Sequence, residues 1–358
     1  MSDNAAAAAL PCVSLLIAAR NEEACLPQLF EALDAQAYPT GKLEVLLGND
    51  DSTDGTAALM DDYAATRPHV RVLHITHKVP GLVGKANVLA QLCSQARHPV
   101  YLFTDADCMP PRHWLKGMAQ ELQRLAPNPE RDACILTGFT LPVGEGAFGR
   151  LQACDWLSAL SAIHFLSLAR VPVTAMGNNM ACTRAAYLAA GGFEQTAGSI
   201  TEDYSLFQNA LRGGSAFAHY CHPRILNRTH AMPTFDAWLT QRKRWFSGAL
   251  QLPWLTQLPF WVQAFYYPLM ALVAVAIGWE YAFYGWFYKV WFQSMLFTGY
   301  MARLRQWKLV PWLPLYDVFA AVTAWALVVA YLKDSRIQWK GVQYEPGLKG
   351  HAPALPKE

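Results

Sequence analysis

Between residues 245 and 279 the chain carries no Asp, Glu, Lys, Arg or His. Residues 281–301 hold a single charge, Lys289, and residues 309–332 hold a single charge, Asp317. A helix needs about 20 mostly apolar residues to cross a bilayer, where the lipid offers its backbone no hydrogen-bond partner. The pattern therefore predicts a transmembrane region over 262–332, with candidate spans at 262–279, 281–301 and 309–332. Pro253, Pro259 and Pro268 interrupt the first stretch and divide it into an interfacial piece, 250–261, and one span. Most of the 13 Trp fall after residue 238, and Trp and Tyr favour the membrane–water interface. A buried hydrophobic helical domain is the competing reading, and so long an uncharged run disfavours it. Basic clusters flank the stretches: Arg242, Lys243 and Arg244; Arg303, Arg305 and Lys308; Lys333, Arg336 and Lys340. The positive-inside rule puts all of them in the cytoplasm. Three full crossings cannot satisfy that, so one stretch is re-entrant or interfacial, or the tail at 333–358 is outside.

The region before residue 235 reads differently. Short apolar runs at 12–19, 43–47, 70–75 and 99–103 alternate with helical patterns at 22–36 and 84–97, and another follows Gly55. Apolar runs of this length suit strands covered on both faces. The alternation predicts a doubly wound α/β sheet, in which ligands meet the C-terminal ends of the strands. Further strands are expected at 134–139 and 217–222, and helices at 148–169, 183–190, 202–212 and 235–250. The net charge of +2 excludes a strongly basic nucleic-acid binder, and 53% hydrophobic against 16% charged residues excludes disorder. The eight cysteines form no Cys-x-x-Cys pair and fit no zinc ligand set, which reads as reduced thiols of a cytosolic domain. Met1–Asn4 lacks the basic start of a signal peptide, and no span is expected ahead of the α/β region.

Four motifs could carry chemistry, and each reads two ways. Asp105-Ala106-Asp107 ends a strand with paired carboxylates. Oxygen ligands of this kind hold Mg²⁺ or Mn²⁺ shared with a diphosphate, but Asp also favours a turn before Pro110-Pro111. Asn49-Asp50-Asp51-Ser52-Thr53-Asp54 could bind a base or ribose, or cap the next helix. Thr201-Glu202-Asp203 could supply a general base, or only a cap and first-turn carboxylates. Gln241-x-x-Arg244-Trp245 puts an amide, a cationic fork and an apolar platform on one helix face. It also fits a membrane-surface helix, with Arg242 and Lys243 turned to lipid headgroups. Lys85, after Gly81 and Gly84, could neutralise a phosphate or simply be solvated.

Taken in order, these motifs together with Gly177-Asn178-Asn179-Met180 resemble those of the membrane-associated family-2 glycosyltransferases of GT-A fold. That group includes ceramide glucosyltransferase, the carotenoid and hopanoid-associated glycosyltransferases and the cellulose and hyaluronan synthases. The resemblance spans about 12–250, with weaker support to 345. It implies that Ala18, Arg20, Glu22, Asp50, Lys85, Asp105, Gln241, Arg244 and Trp245 bind the donor. It further implies that Asn178, Asn179, Met180 and Trp245 lie near the sugar and acceptor. Asp107, with Asp105, would hold Mn²⁺ or Mg²⁺. Asp203 would be the base, with Glu202 and Arg244 completing the catalytic group. Trp339-Lys340-Gly341 looks like the Trp-x-Gly tail of the lipid-glycosylating members. One departure is Asp51, where the family turn carries Gly.

The expectation is a GT-A domain at 10–235, interfacial helices at 236–261, the transmembrane region at 262–332 and a tail at 333–358. The resemblance implies inverting transfer from a nucleotide-sugar, a UDP-sugar by family habit, to a hydroxyl of a lipid or other membrane-embedded acceptor. The location expected is the inner membrane, multi-pass, with the catalytic domain cytoplasmic and no nucleic-acid partner. Two alternatives stay open. One is a processive polysaccharide synthase subunit with a membrane partner, and the other a non-catalytic nucleotide-sugar-binding module.

Overall fold

The computed structural model describes residues 10–196, 199, 201–250, 254–334, 336–339 and 342–344. Two compact units divide the chain. Among the described residues the first comprises 10–140 and 167–229, and the second comprises 141–166 and most of 230–344. The segment 141–166, inside the expected 10–235 domain, thus belongs to the second unit.

The first unit is built on a seven-stranded sheet. Its strands are β1 (Val13–Ala19), β2 (Leu43–Asn49), β3 (Val70–His74), β4 (Val100–Phe103), β5 (Cys134–Gly138), β7 (Met180–Thr183) and β8 (Ala216–Tyr220). A short strand, β6 (Thr140–Val143), falls between β5 and β7 in the chain. The order across the sheet is β3-β2-β1-β4-β7-β5-β8. Strands β1 to β4 pair in parallel, and β7 runs antiparallel to both β4 and β5. Every residue of β2 and β4 is buried, which is why these runs are apolar without alternation.

Helices cover both faces. The helices α1 (Leu26–Asp34), α2 (Thr56–Ala65) and α4 (Trp114–Leu125) share one core with Leu15, Ile17, Val45 and Leu102. The helices α3 (Gly84–Gln95), α6 (Arg184–Ala189) and α7 (Glu202–Arg212) share the other with Leu16, Leu46, Tyr101 and Phe103. Neighbouring strand residues thus feed opposite cores. This is a mixed α/β, doubly wound GT-A fold. Six cysteines are buried and Cys12 and Cys25 half-buried, all free thiols.

The second unit is helical. It holds α5 (Gly146–Leu168), α8 (Phe235–Ala249), α9 (Trp254–Ala276), α10 (Trp279–Arg303) and α11 (Leu313–Lys333). Helix α9 runs without a break through positions 259 and 268. Each proline removes one backbone donor, and the bonds around it keep the helix intact. Asp317 of α11 is 1% exposed; it pairs with Lys289 of α10 and accepts the Tyr267 hydroxyl of α9. The two lone charges of the apolar stretches therefore neutralise each other.

Among the described residues one segment, Trp307–Lys333, is long and apolar enough to cross a membrane; Phe260–Ala276 is apolar but shorter. The expectation of three spans is corrected to one candidate. Residues 281–301 carry only Lys289, but Tyr, Trp, Gly and Gln dilute their apolarity. The tail motif residues Lys340 and Gly341 lie outside the described residues.

Candidate active site

The parallel strands end together, and the polar residues that follow them define the site. Arg20 follows β1, Asp50 follows β2 and Asp105 lies just beyond β4. Arg20 Nη1 lies 3.5 Å from Asp50 Oδ2, which brings two expected donor-binding residues into contact. Ala18 sits opposite Gly48 in the β1–β2 register.

The turn after β2 keeps its geometry despite Asp51. Asp51 adopts φ +51°, the left-handed region that Gly enters most easily and Asp tolerates. Asn49 Oδ1 accepts the Ser52 N–H (3.3 Å). Asn21 (φ +54°) accepts the Thr53 N–H with its side chain (2.8 Å), and its own N–H donates to Ser52 Oγ (3.1 Å). The Glu22 N–H donates to Thr56 Oγ1 (2.7 Å). The motif divides its labour: Asp54 accepts the Thr56 N–H (3.0 Å) at the start of α2, while Asp50 faces Arg20.

The most charged cluster joins three elements. Lys85, in the first turn of α3, donates to Asp105 Oδ1 at 2.5 Å and lies 3.4 Å from Glu202 Oε1. Burial works against its charge, but Asp105, Glu202 and Asp203 outweigh it and hold the ammonium above its ordinary value. Asp203 Oδ2 accepts the Gly177 N–H (2.7 Å), and its Oδ1 accepts the Tyr204 N–H (2.8 Å). Burial and the neighbouring Glu202 push its carboxyl above the ordinary carboxylate range, against the opposing pull of Lys85. Gly177 makes this approach possible, since a Cβ there would stand 3.0 Å from the Asp203 side chain. Thr201 makes no side-chain cap at α7, which leaves Glu202 and Asp203 as the polar content of that turn.

Asp107 Oδ2 accepts the Thr229 hydroxyl (3.0 Å), and the Asp105 and Asp107 side chains are only partly buried. Among the described residues no group of three or more His, Cys, Asp or Glu side chains is placed to hold a metal ion by itself. Mg²⁺ and similar cations usually take one or two carboxylates and complete their shell with water and substrate phosphate. The Asp105–Asp107 oxygens fit such a shared cation.

Gly177-Asn178-Asn179-Met180 leads into β7, and the Asn179 and Met180 side chains are enclosed. Asn179 is 0% exposed; its Oδ1 accepts the Trp114 indole N–H (2.8 Å), and its amide donates to Phe139 O (2.7 Å) and Ile225 O (2.9 Å). Met180 is 1% exposed in the core under β4. Strand β7, which Met180 opens, threads between β4 and β5. Asn178 is half-buried, its Oδ1 taking the Thr140 hydroxyl (3.0 Å) and its carbonyl taking Asn227 Nδ2 (2.9 Å).

Gln241, Arg244 and Trp245 lie on α8 of the second unit, all half-buried. Arg242, expected at lipid headgroups, instead pairs with Asp155, and Lys243 lies 3.9 Å from Asp334. Sequence reasoning missed Asn21, Gly177, Thr229 and Asn227. Gly177 stood inside a quoted motif; Thr229 and Asn227 reach the site only through the fold, more than 120 residues from Asp107 and Thr104.

The fold and its strand ends define a doubly wound α/β domain with acidic and basic residues gathered at one edge of the parallel sheet. Residues 14–138 match the family model "Glycosyl transferase family 2", and residues 102–332 match "Glycosyl transferase family group 2". The second match covers well over half of the chain, which therefore belongs to glycosyl transferase family group 2. The chain is 24% identical over 245 residues to the probable glycosyltransferase YdaM of Bacillus subtilis, covering 67% of this chain and 55% of that protein. It is 35% identical over 98 residues to a beta-monoglucosyldiacylglycerol synthase of Nostoc sp., covering 27% and 20%. It is 26% identical over 210 residues to the 4,4'-diaponeurosporenoate glycosyltransferase of Staphylococcus haemolyticus, covering 54% and 50%. The chain thus spans about half or less of the length of these relatives. Among solved structures it is similar to mannosyltransferase PcManGT from Pyrobaculum calidifontis, with TM-score 0.48 and 18% identity over 91% of this chain and 76% of that one.

Proposed function

We propose that the chain is a membrane-associated inverting glycosyltransferase that transfers a sugar from a nucleotide-sugar, a UDP-sugar by family resemblance, to a lipid hydroxyl. The observation that carries this reading is Asp203. It is half-buried beside Glu202 and Lys85, held by two backbone N–H groups, and its carboxyl is raised above the ordinary carboxylate range, as suits a general base.

In this reading Asp203 takes the proton of the acceptor hydroxyl. The acceptor oxygen forms a bond to the anomeric carbon, and the bond from that carbon to the diphosphate breaks with its electron pair on the leaving group. Arg20 and Asp50 hold the nucleoside end, and Lys85 exchanges its Asp105 contact for donor phosphate. Arg244 carries the diphosphate by resemblance, since Arg matches phosphate bidentately. A divalent cation, Mg²⁺ or Mn²⁺, on Asp107 and Asp105 would offset charge on that diphosphate.

Two observations support a lipid acceptor at a membrane. Two relatives are named as a beta-monoglucosyldiacylglycerol synthase and a 4,4'-diaponeurosporenoate glycosyltransferase. The helices after residue 254 also leave large apolar side chains on the surface, among them Val275 (88% exposed), Trp279 (73%) and Leu332 (80%). The segment Trp307–Lys333 is the candidate span.

The test is Asp203→Asn, which keeps an amide oxygen for the Gly177 N–H. Donor binding, read by UDP-sugar titration, stays within a few-fold of the native protein, while transfer falls by about 10²–10⁴. A variant that retains transfer contradicts the assignment.

A further inference from the structure

Arg242 drew attention in the sequence only as a cation for the membrane surface. In the second unit it is turned inward. Its guanidinium pairs with Asp155 of α5, and the two side chains are 11% and 22% exposed. Its Cζ lies 4.4 Å from the ring centre of Trp245, 5.5 Å from Trp238 and 5.8 Å from Trp156. Trp156 meets Trp245 edge-on with centroids 4.8 Å apart. The Arg242 Nε and Nη2 atoms are shut off from solvent. Phe148 of α5, Phe235 and Trp238 of α8 and Phe319 of α11 pack ring against ring. A single charge pair therefore sits where α5, α8 and α11 meet.

Stability is a poor explanation for such a pair. Desolvation offsets much of the attraction between buried charges, and apolar replacements of similar volume are often as stable. Burial pushes the Asp155 carboxyl up and the Arg242 guanidinium down, the signs expected of groups held against their solvation. A planar cation stacked on one ring and tied to one carboxylate supplies direction instead. Arg242 and Trp245 share a face of α8 at i and i+3. Fixing both rings fixes the rotation of the helix that carries Gln241 and Arg244.

We infer that Asp155 and Arg242 are positioning residues: together they clamp Trp245 and set the rotation of α8, so that Gln241 and Arg244 are presented in one orientation. The catalytic part of this inference rests on the proposed function, in which those residues hold the donor; the clamp itself does not.

The test is the double variant Asp155→Leu/Arg242→Met in detergent-solubilised full chain, with three readouts. Melting stays within about 3 °C of the native protein. Amides of residues 238–249 exchange about tenfold faster or more, while those of α3 are unchanged. The kcat for sugar transfer falls roughly tenfold to a hundredfold, as misplacement of a binding group predicts. A folded double variant with native exchange and native kcat overturns the inference. Arg242→Lys is the second variant: it keeps the charge and its reach to Asp155 but loses the flat plane over Trp245. The clamp predicts faster exchange at 238–249 there too, and native exchange with native kcat overturns it. If the native protein transfers no sugar from any nucleotide-sugar, the proposed function fails, and the exchange data alone decide the clamp.

Discussion

Replacing Asn179 with Ala separates a structural hub from a sugar-binding residue. The amide is enclosed and makes three hydrogen bonds, to Trp114 Nε1, Phe139 O and Ile225 O. Phe139 O keeps a partner in the variant, because it also accepts the Asn227 N–H at 2.9 Å. Two groups lose theirs: the Trp114 indole N–H and the Ile225 carbonyl, both on residues 0% exposed. An orphaned buried polar group costs about 1–3 kcal/mol, so the pair amounts to about 4 kcal/mol. For a chain of this size 1 kcal/mol moves the melting midpoint by roughly 2–4 °C, which gives a drop of about 8–16 °C. Fluorescence-detected melting in detergent reads this directly, with donor KM measured below both midpoints. The expectation is a large fall in midpoint and a KM within about twofold, since the side chain is enclosed. Trp114→Phe combined with Asn179→Ala should lose less than the sum of the two singles, because the double variant orphans only Ile225 O. A midpoint within about 2 °C of the native value with a tenfold rise in KM would refute the reasoning.

Three further outcomes follow from the charge clusters. Asp203 is raised, so its neutral form stabilises the fold below the unfolded value, and that stability is lost as pH rises through the folded value; Asp203→Asn should therefore melt higher than the native protein at pH 7–8, and the acid limb of native kcat/KM should lie above the ordinary carboxylate value of about 4. Lys85→Met removes the cation that pulls Asp203 back toward its ordinary value, so the acid limb should move to higher pH, and Lys85→Arg should restore it. Asp317→Asn leaves Lys289 buried without its carboxylate and should lower the melting midpoint in detergent, whereas Asp317→Leu/Lys289→Met should recover most of the loss.

The sheet was legible because its strands are covered on both faces: β1, β2 and β4 had to be short apolar runs, and they fall within two residues of expectation. The strand-end residues were legible for the same reason, since topology delivers Arg20, Asp50 and Asp105 to one edge. Strand β7 was not, because Met-Ala-Cys-Thr has no alternation and its neighbours come from distant parts of the chain. The packing of Asn179 was not legible, because Trp114 lies 65 residues away and only the fold brings it against the amide. The ion pairs of Lys85 were not legible, because Asp105 and Glu202 lie 20 and more than 100 residues away. Of the three expected spans, one among the described residues is long and apolar enough to cross a membrane. Absence of charge finds apolar stretches, but Trp and Tyr do not carry a helix across lipid as Leu and Val do.

The most direct test of the central claim is product analysis. The purified chain is incubated with Mn²⁺, a panel of tritiated UDP-sugars and membrane lipid, and the products are separated by solvent partition and by chain length. The account predicts one labelled species that enters the organic phase, with one donor, and its loss in Asp203→Asn. A ladder or an insoluble high-mass product would contradict transfer to a lipid hydroxyl and favour a processive synthase. No product with any donor would contradict the enzymatic reading itself.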